Sequence, residues 1–166
     1  MEEVNDEDVI DELYFSKMNK IQILELGKIK NKTDIQIIRL NILVEEESKS
    51  ILNEKGQTFR VHSGRKDRRS MKLGFCWVNS SKMMLKGYGY VEGYVIDKRS
   101  GKRISHSWNV DSEGKHWDFT YDHPDNYEYF GIIIPEEVVW EVGQKNGGMW
   151  FCVLPFIDDP KTLTLT

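Results

Sequence analysis

Three short alternating segments between residues 88 and 121 constrain the fold more than any other feature of the chain. "YGYVEGYVID" is rich in Tyr and Val, "ISHSWNVD" alternates again, and "HWDFTY" repeats the texture. "KRSGKR" and "SEGK" separate them, each a short polar stretch with a glycine. Segments of period two joined by tight glycine turns predict three antiparallel strands. Further strands are expected at "YEYFGIIIP" and "GMWFCVLPF". "PEEVVWEVGQKNGG" between them reads as a short helix, with Pro135 at its first position and glycine at its end.

Ahead of this region the periodicity changes. "KTDIQIIRLNILVEEESKSILNEKG" predicts a helix from about Thr33 to Lys55, with Thr33 as N-cap, Asp34 in the first turn and Gly56 as the stop. Ile35, Ile38 and Ile42 fall on one stripe, which Ile37, Leu40 and Val44 widen. "YFSKMNKIQILELGKIKN" is ambiguous, because Ile21 and Ile23 alternate like a strand over too short a run to decide. Residues 1–12 are acidic, have few large apolar side chains and are expected to be loose. "RVHSGRKDRRSMKLG" carries six cationic residues among Gly and Ser and reads as a solvated loop at the rim of a site. No aromatic residues interleave with its charges, as a groove for single-stranded nucleic acid would require.

The fold class expected is α+β. N-terminal helices (residues 13–60) precede an antiparallel sheet, and residues 72–160 form the core that carries any chemistry. One domain over all 166 residues is long enough to bury a core without metal or disulfide staples. The net charge of −4 disfavours non-specific nucleic-acid binding. No apolar run approaches the roughly 20 residues that span a bilayer, so no membrane partner is expected. The acidic opening is neither a secretory signal nor a transit peptide. Two cysteines make no disulfide framework, and a reducing, cytoplasmic compartment is the simplest expectation.

The chemistry points to Cys76, His106 and Asp118. "GFCWVNSSKMML" reads as a helix start, with Trp77, Val78, Met84 and Leu85 suited to packing one face. A cysteine in the first turn meets unpaired N–H groups and the positive end of the helix dipole. Such a setting, with a cationic His, favours the nucleophilic thiolate, and the same N–H groups can hold an oxyanion. In "SHSWNV", His106, Trp108 and Val110 share a strand face; if the cysteine helix packs there, His106 can reach the sulfur. A turn after Asp111 brings Trp117 and Asp118 back alongside Asn109 to Ile104. A carboxylate one strand over can then fix the tautomer of the histidine. Nucleophile, base and orienting acid are the parts of a triad.

A cysteine at a helix start, a strand with "H-small-W-x-V", a turn and then "W-D-x-T-Y" resembles the transglutaminase-like branch of the papain-like cysteine hydrolases and transferases. More narrowly, "C-x-x-N", "YVEGY", "HSW-x-V-D-x-x-G-K" and a later "YFG" resemble a group of small bacterial and phage proteins with the same cysteine, histidine, aspartate order. The likeness covers about residues 72–134. It implies a papain-like core with Cys76 at a helix N-terminus as nucleophile, His106 as base and Asp118 as orienting acid. Asn79, Glu92, Trp77 and Trp108 are further candidates for substrate contact or site support. Phe119 stands where that group commonly has proline, and Ser107 where it commonly has alanine; neither change removes a catalytic atom.

Other readings of the same residues were weighed. Cys152, among Trp150, Phe151, Val153 and Leu154, reads as a small core side chain. His106, His116, His123 and Asp118 could ligate a metal, but their spacings match no compact ligand pattern, so no metal or cofactor is expected. "GYGYVEGY" is not a phosphate loop, since no helix with Lys-Ser/Thr follows. Two function classes stand. One is a cysteine hydrolase or acyl transferase acting on a peptide, protein or small acyl substrate. The other is a non-catalytic binding or inhibitory module that keeps the fold.

Overall fold

A computed structural model describes residues 6–64, 76–148 and 152–163. Its helices are α1 (Asp6–Gly27), α2 (Asp34–Lys55), α3 (Cys76–Met84) and α4 (Glu136–Lys145). Its strands are β1 (Gln57–Phe59), β2 (Val61–Ser63), β3 (Gly89–Asp97), β4 (Arg103–Val110), β5 (His116–Asp118) and β6 (Tyr127–Ile134). The class is α+β, as the mixed periodicities predict.

The strands form one curled sheet in the order β1-β6-β3-β4-β5-β2. β3 pairs antiparallel with β4 and with β6, and its register sets Glu92 opposite Ser107 and Gly93 opposite His106. The Gly101 and Gly114 turns have φ of 72° and 81°, a backbone region that glycine enters without strain. The sheet is not wholly antiparallel as expected: β2 runs parallel to β5, Val61 opposite His116. β2 comes from the stretch expected to be loop, whose residues 65–74 lie outside the described ones, and β1 from the end of the part expected to be helical. "GMWFCVLPF" does not make a strand among its described residues; Leu154–Phe156 is a single 3-10 turn, which Pro155 suits.

Alternation divides the sheet. Tyr90, Ile132 and Ile134 point to one face and pack with Ile51 and Leu52 of α2, Met84 of α3, and Val139 and Val142 of α4. Val91, Val95, Trp108, Val110 and Tyr129 point to the other, where the curl closes on Trp108. Glu92 lies on the helix side, where its carboxylate accepts from Tyr90 Oη (2.7 Å) and from the backbone N–H of Val153 and Leu154. Pro135 occupies the N-cap position of α4, so the helix begins at Glu136, one residue later than predicted.

α1 and α2 form an antiparallel hairpin. The ambiguous segment is helix, and the opening expected to be loose is helical from Asp6. Pairing with α2 explains this. Glu47 accepts from Ser16 Oγ and Asn19 Nδ2, Arg39 donates to Gln22, and Ile23 is fully buried against Leu40, Val44 and Cys152. Thr33 and Gln36 close a capping box at the start of α2. The predicted stripe is turned, however. Leu40, Val44, Ser48, Ile51 and Leu52 face inward, while Ile35, Ile38 and Ile42 are exposed. Isoleucines surround this helix on several sides, so periodicity alone does not select the buried face.

Candidate active site

β4 and β5 bring the predicted acid and base together. The Gly114 turn folds His116 and Trp117 back opposite Val110 and Asn109, as the spacing predicts. Asp118, the next residue, then meets His106 from the adjacent strand: His106 Nε2 lies 2.7 Å from Asp118 Oδ2. Both side chains are essentially solvent-free, at 1% and 0% exposure. Asp118 is itself held in place. Its Oδ1 accepts from the backbone N–H of Thr120 (2.8 Å) and Tyr121 (3.0 Å), and its Oδ2 from Tyr129 Oη (2.6 Å). A buried carboxylate needs such donors, because desolvation otherwise favours its neutral form. Here burial opposes ionisation, but His106 and these donors together hold the Asp118 carboxyl below the usual carboxylate range.

His106 is held as firmly. Its ring stacks on Tyr121, centroids 4.3 Å apart and planes 4° apart. Cys76 lines the same cleft and is near enough for its sulfur to act on the ring. With Nε2 committed to Asp118, Nδ1 is the nitrogen left to serve the sulfur. Burial works against a charged ring, but the Asp118 carboxylate and then the Cys76 sulfur outweigh it and lift His106 to about 10. The pairing with Asp118 therefore favours the protonated ring.

Cys76 reaches His106 by a route that differs from the expected one. The Ser80 hydroxyl accepts from Ser107 Oγ and its carbonyl from Asn109 Nδ2, so α3 lies against the Ser107/Asn109 side of β4. His106 alternates to the opposite side. The two meet because β5 pairs with β4 only at Asn109 and Val110. Beyond that point the outer edge of β4 has no strand beside it among the described residues, and Ser105 and His106, from its two faces, both line one cleft with Cys76. The buried side of α3 carries Cys76, Asn79, Ser80, Ser81, Met83 and Met84, whereas Leu85, expected to pack, is exposed. The lead-in that would place Cys76 at a helix N-terminus lies outside the described residues.

The secondary candidates separate. Asn79 Nδ2 donates to Thr120 Oγ1 (3.0 Å), which ties α3 to the turn that grips Asp118. Trp77 lines the cleft. Trp108 does not; it is fully buried beneath His106 and donates from Nε1 to His116 Nδ1 (2.9 Å). Glu92 does not line the cleft either and instead anchors Val153 and Leu154, a correction that its central place in "YVEGY" does not disclose. His116 stacks on Phe59 at 4.1 Å, and burial lowers it to about 4, so it stays neutral and accepts the Trp108 bond. Among the described residues no three His, Cys, Asp or Glu side chains converge as a metal site. Cys152 sits in the hairpin core at 1% exposure, and burial pushes its thiol up.

The cleft measures about 570 Å³. One wall is Cys76, Trp77, Val78, His106 and Tyr121. The other is the tip of the helical hairpin, Gly27 to Lys32, with Ile37, Leu40 and Asn41 of α2. The composition reading missed this wall. Its signal is "GKIKNK", a basic run between two helices of an acidic chain. Tyr129 was also missed, although it stands in "YEYFG" at the alternate position that shares the Trp108 face. No helix among the described residues is long and apolar enough to cross a membrane. No family model, curated protein or solved structure matches this chain, so Cys76, His106 and Asp118 are read from their own geometry.

Proposed function

We propose that the protein is a cysteine hydrolase or acyl transferase of transglutaminase-like, papain-like type, with Cys76 as nucleophile, His106 as acid-base and Asp118 as the group that orients the histidine. The observation that carries this reading is the buried His106–Asp118 pair at 2.7 Å, which shares the lining of one cleft with Cys76. An imidazolium fixed beside a sulfur is the electrostatic partner of a thiolate. The thiolate attacks the carbonyl carbon of an amide or ester. The C–N or C–O bond breaks as His106 Nδ1 gives its proton to the leaving amine or alcohol, and a thioester remains on Cys76. His106, now neutral, takes a proton from an incoming water or amine, and the thioester opens to an acid or a new amide. Asp118 keeps its charge throughout and holds Nε2–H.

The test is site-resolved alkylation by iodoacetamide, read by mass spectrometry against pH. Cys76 is expected to label rapidly at pH 6 to 7, and His106→Ala or Asp118→Asn should slow it by on the order of 100-fold. Cys152 is the internal control and should stay unlabelled in the folded protein. Labelling of Cys76 only above about pH 8.5, the range of an ordinary thiol, with no response to His106→Ala, would remove the catalytic reading. Binding would then be the better account of the cleft.

A further inference from the structure

We infer that the cleft selects an acidic peptide substrate, with a carboxylate held by Lys28 and Lys30 and a neighbouring apolar side chain seated between the hairpin and Trp77; this rests on the acyl-transfer reading above. The charges facing the cleft are one-sided. Lys28, Lys30 and Lys32 line it, and no carboxylate does among the described residues. Asp118 is screened behind His106. Lys32 is partly spent, since its Nζ donates to the Ile29 carbonyl at 2.8 Å and closes the hairpin tip. Lys28 and Lys30 are exposed and have no ion-pair partner among the described residues.

This concentration runs against the whole molecule, whose net charge is −4. A cationic pocket on an anionic protein attracts anions locally and repels them elsewhere, which sharpens selection as well as rate. Most of the remaining lining is apolar, with Ile29, Ile37, Leu40, Trp77 and Val78 among it; Asn41, Ser105 and Thr120 are uncharged polar members. An apolar surface beside two exposed cations fits a peptide in which a Glu or Asp adjoins an aliphatic residue.

Cys76 itself reports the field. Iodoacetate and iodoacetamide differ in charge at similar size, and their rate ratio at Cys76 is compared with that at glutathione. The ratio is expected to favour iodoacetate by about tenfold over glutathione at low salt and to shrink as salt screens the lysines. The double variant Lys28→Gln/Lys30→Gln should bring it down, while iodoacetamide labelling stays fast. A bias that survives in the double variant comes from His106 alone and overturns the assignment, as does a ratio equal to that of glutathione. If Cys76 is no faster than a free thiol with either reagent, the acyl-transfer reading fails, and peptide binding decides the charge preference separately. In that assay Cys76→Ala meets two fluorescent hexapeptides, one alternating Glu and Leu, one alternating Lys and Leu. Tighter binding of the acidic peptide, lost in the added double variant, supports the inference; equal or reversed affinities overturn it.

Discussion

The sheet that holds the acid-base pair and the helical hairpin that faces it use their apolar residues in opposite ways. In β3, β4 and β6 Ile133 alone among the large apolar side chains is exposed, and the polar Glu92, Ser107, Asn109 and His106 are all but fully covered. In α1 and α2 the hairpin leaves Leu13, Tyr14, Phe15, Ile35, Ile38 and Ile42 more than half exposed. A strand between two neighbours has two faces and a fixed register, so its pattern dictates burial. A helix apolar on several sides can be turned about its axis with little change in the area it buries. The lesson is that the chemistry sits where sequence determines geometry, and the cleft wall sits where it does so only weakly.

Substitutions can break that contrast, beginning in the sheet. Trp108 is wholly buried between Phe59 and Tyr129, beneath His106. Trp108→Ala should cost about 3–5 kcal/mol in denaturant unfolding, and it leaves His116 without its donor. A loss under about 1 kcal/mol would mean that this face is loosely packed. In the hairpin, Leu40→Ala should cost about 2–5 kcal/mol, because Leu40 is buried against Ile23 and Val44.

Glu92 gives a smaller, pH-dependent effect. Burial raises its carboxyl from 4.5 to about 7, against the hydrogen bonds from Tyr90, Val153 and Leu154 that favour the anion. The folded state therefore holds the Glu92 proton more tightly than the unfolded chain does. This contribution is greatest below pH 4.5 and declines as pH rises to about 7. Unfolding free energy should fall by about 1–3 kcal/mol across that window, and Glu92→Gln should remove that slope. His106 acts in the same direction at higher pH, its stabilisation declining from 6.5 to about 10. A wild type that gains stability between pH 5 and 7 relative to Glu92→Gln would contradict the assignment. The smallest effect is expected at Ile38, which is 55% exposed: Ile38→Ala should stay within about 0.5 kcal/mol. A cost like that of Leu40→Ala would show that the exposed stripe is covered in solution.

Much of the sheet and site was legible for reasons that particular residues show. Alternation set His106 and Trp108 on one face, and the Gly114 turn predicted the return of Asp118. The Thr33 cap and Gly56 stop bounded α2. Two of the failures share a cause, namely polar residues in apolar roles. Asn79 and Ser80 form the packed side of α3 because Thr120 accepts from Asn79 while Ser107 and Asn109 donate to Ser80, and hydrophobic periodicity is blind to that. Glu92 looks like a site residue because it is a carboxylate amid aromatics, yet its partners are backbone N–H groups more than 60 residues on. The wall at Lys28 to Lys32 is a helix connection, where pattern carries no information about what stands opposite.

The seat of the hairpin has a consequence for how the chain is made. Ile23, Leu40 and Val44 close on Cys152, and Lys55 Nζ donates to the Pro160 carbonyl, 105 residues later. Helix pairing between α1 and α2 is local and fast, so on the ribosome the hairpin forms early. Its docking ground at Cys152 and Pro160 is translated after the whole sheet. Cys76, His106 and Asp118 can thus come together before the wall that decides what reaches them is in place, and the Cys76 thiol would stand open until that ground emerges.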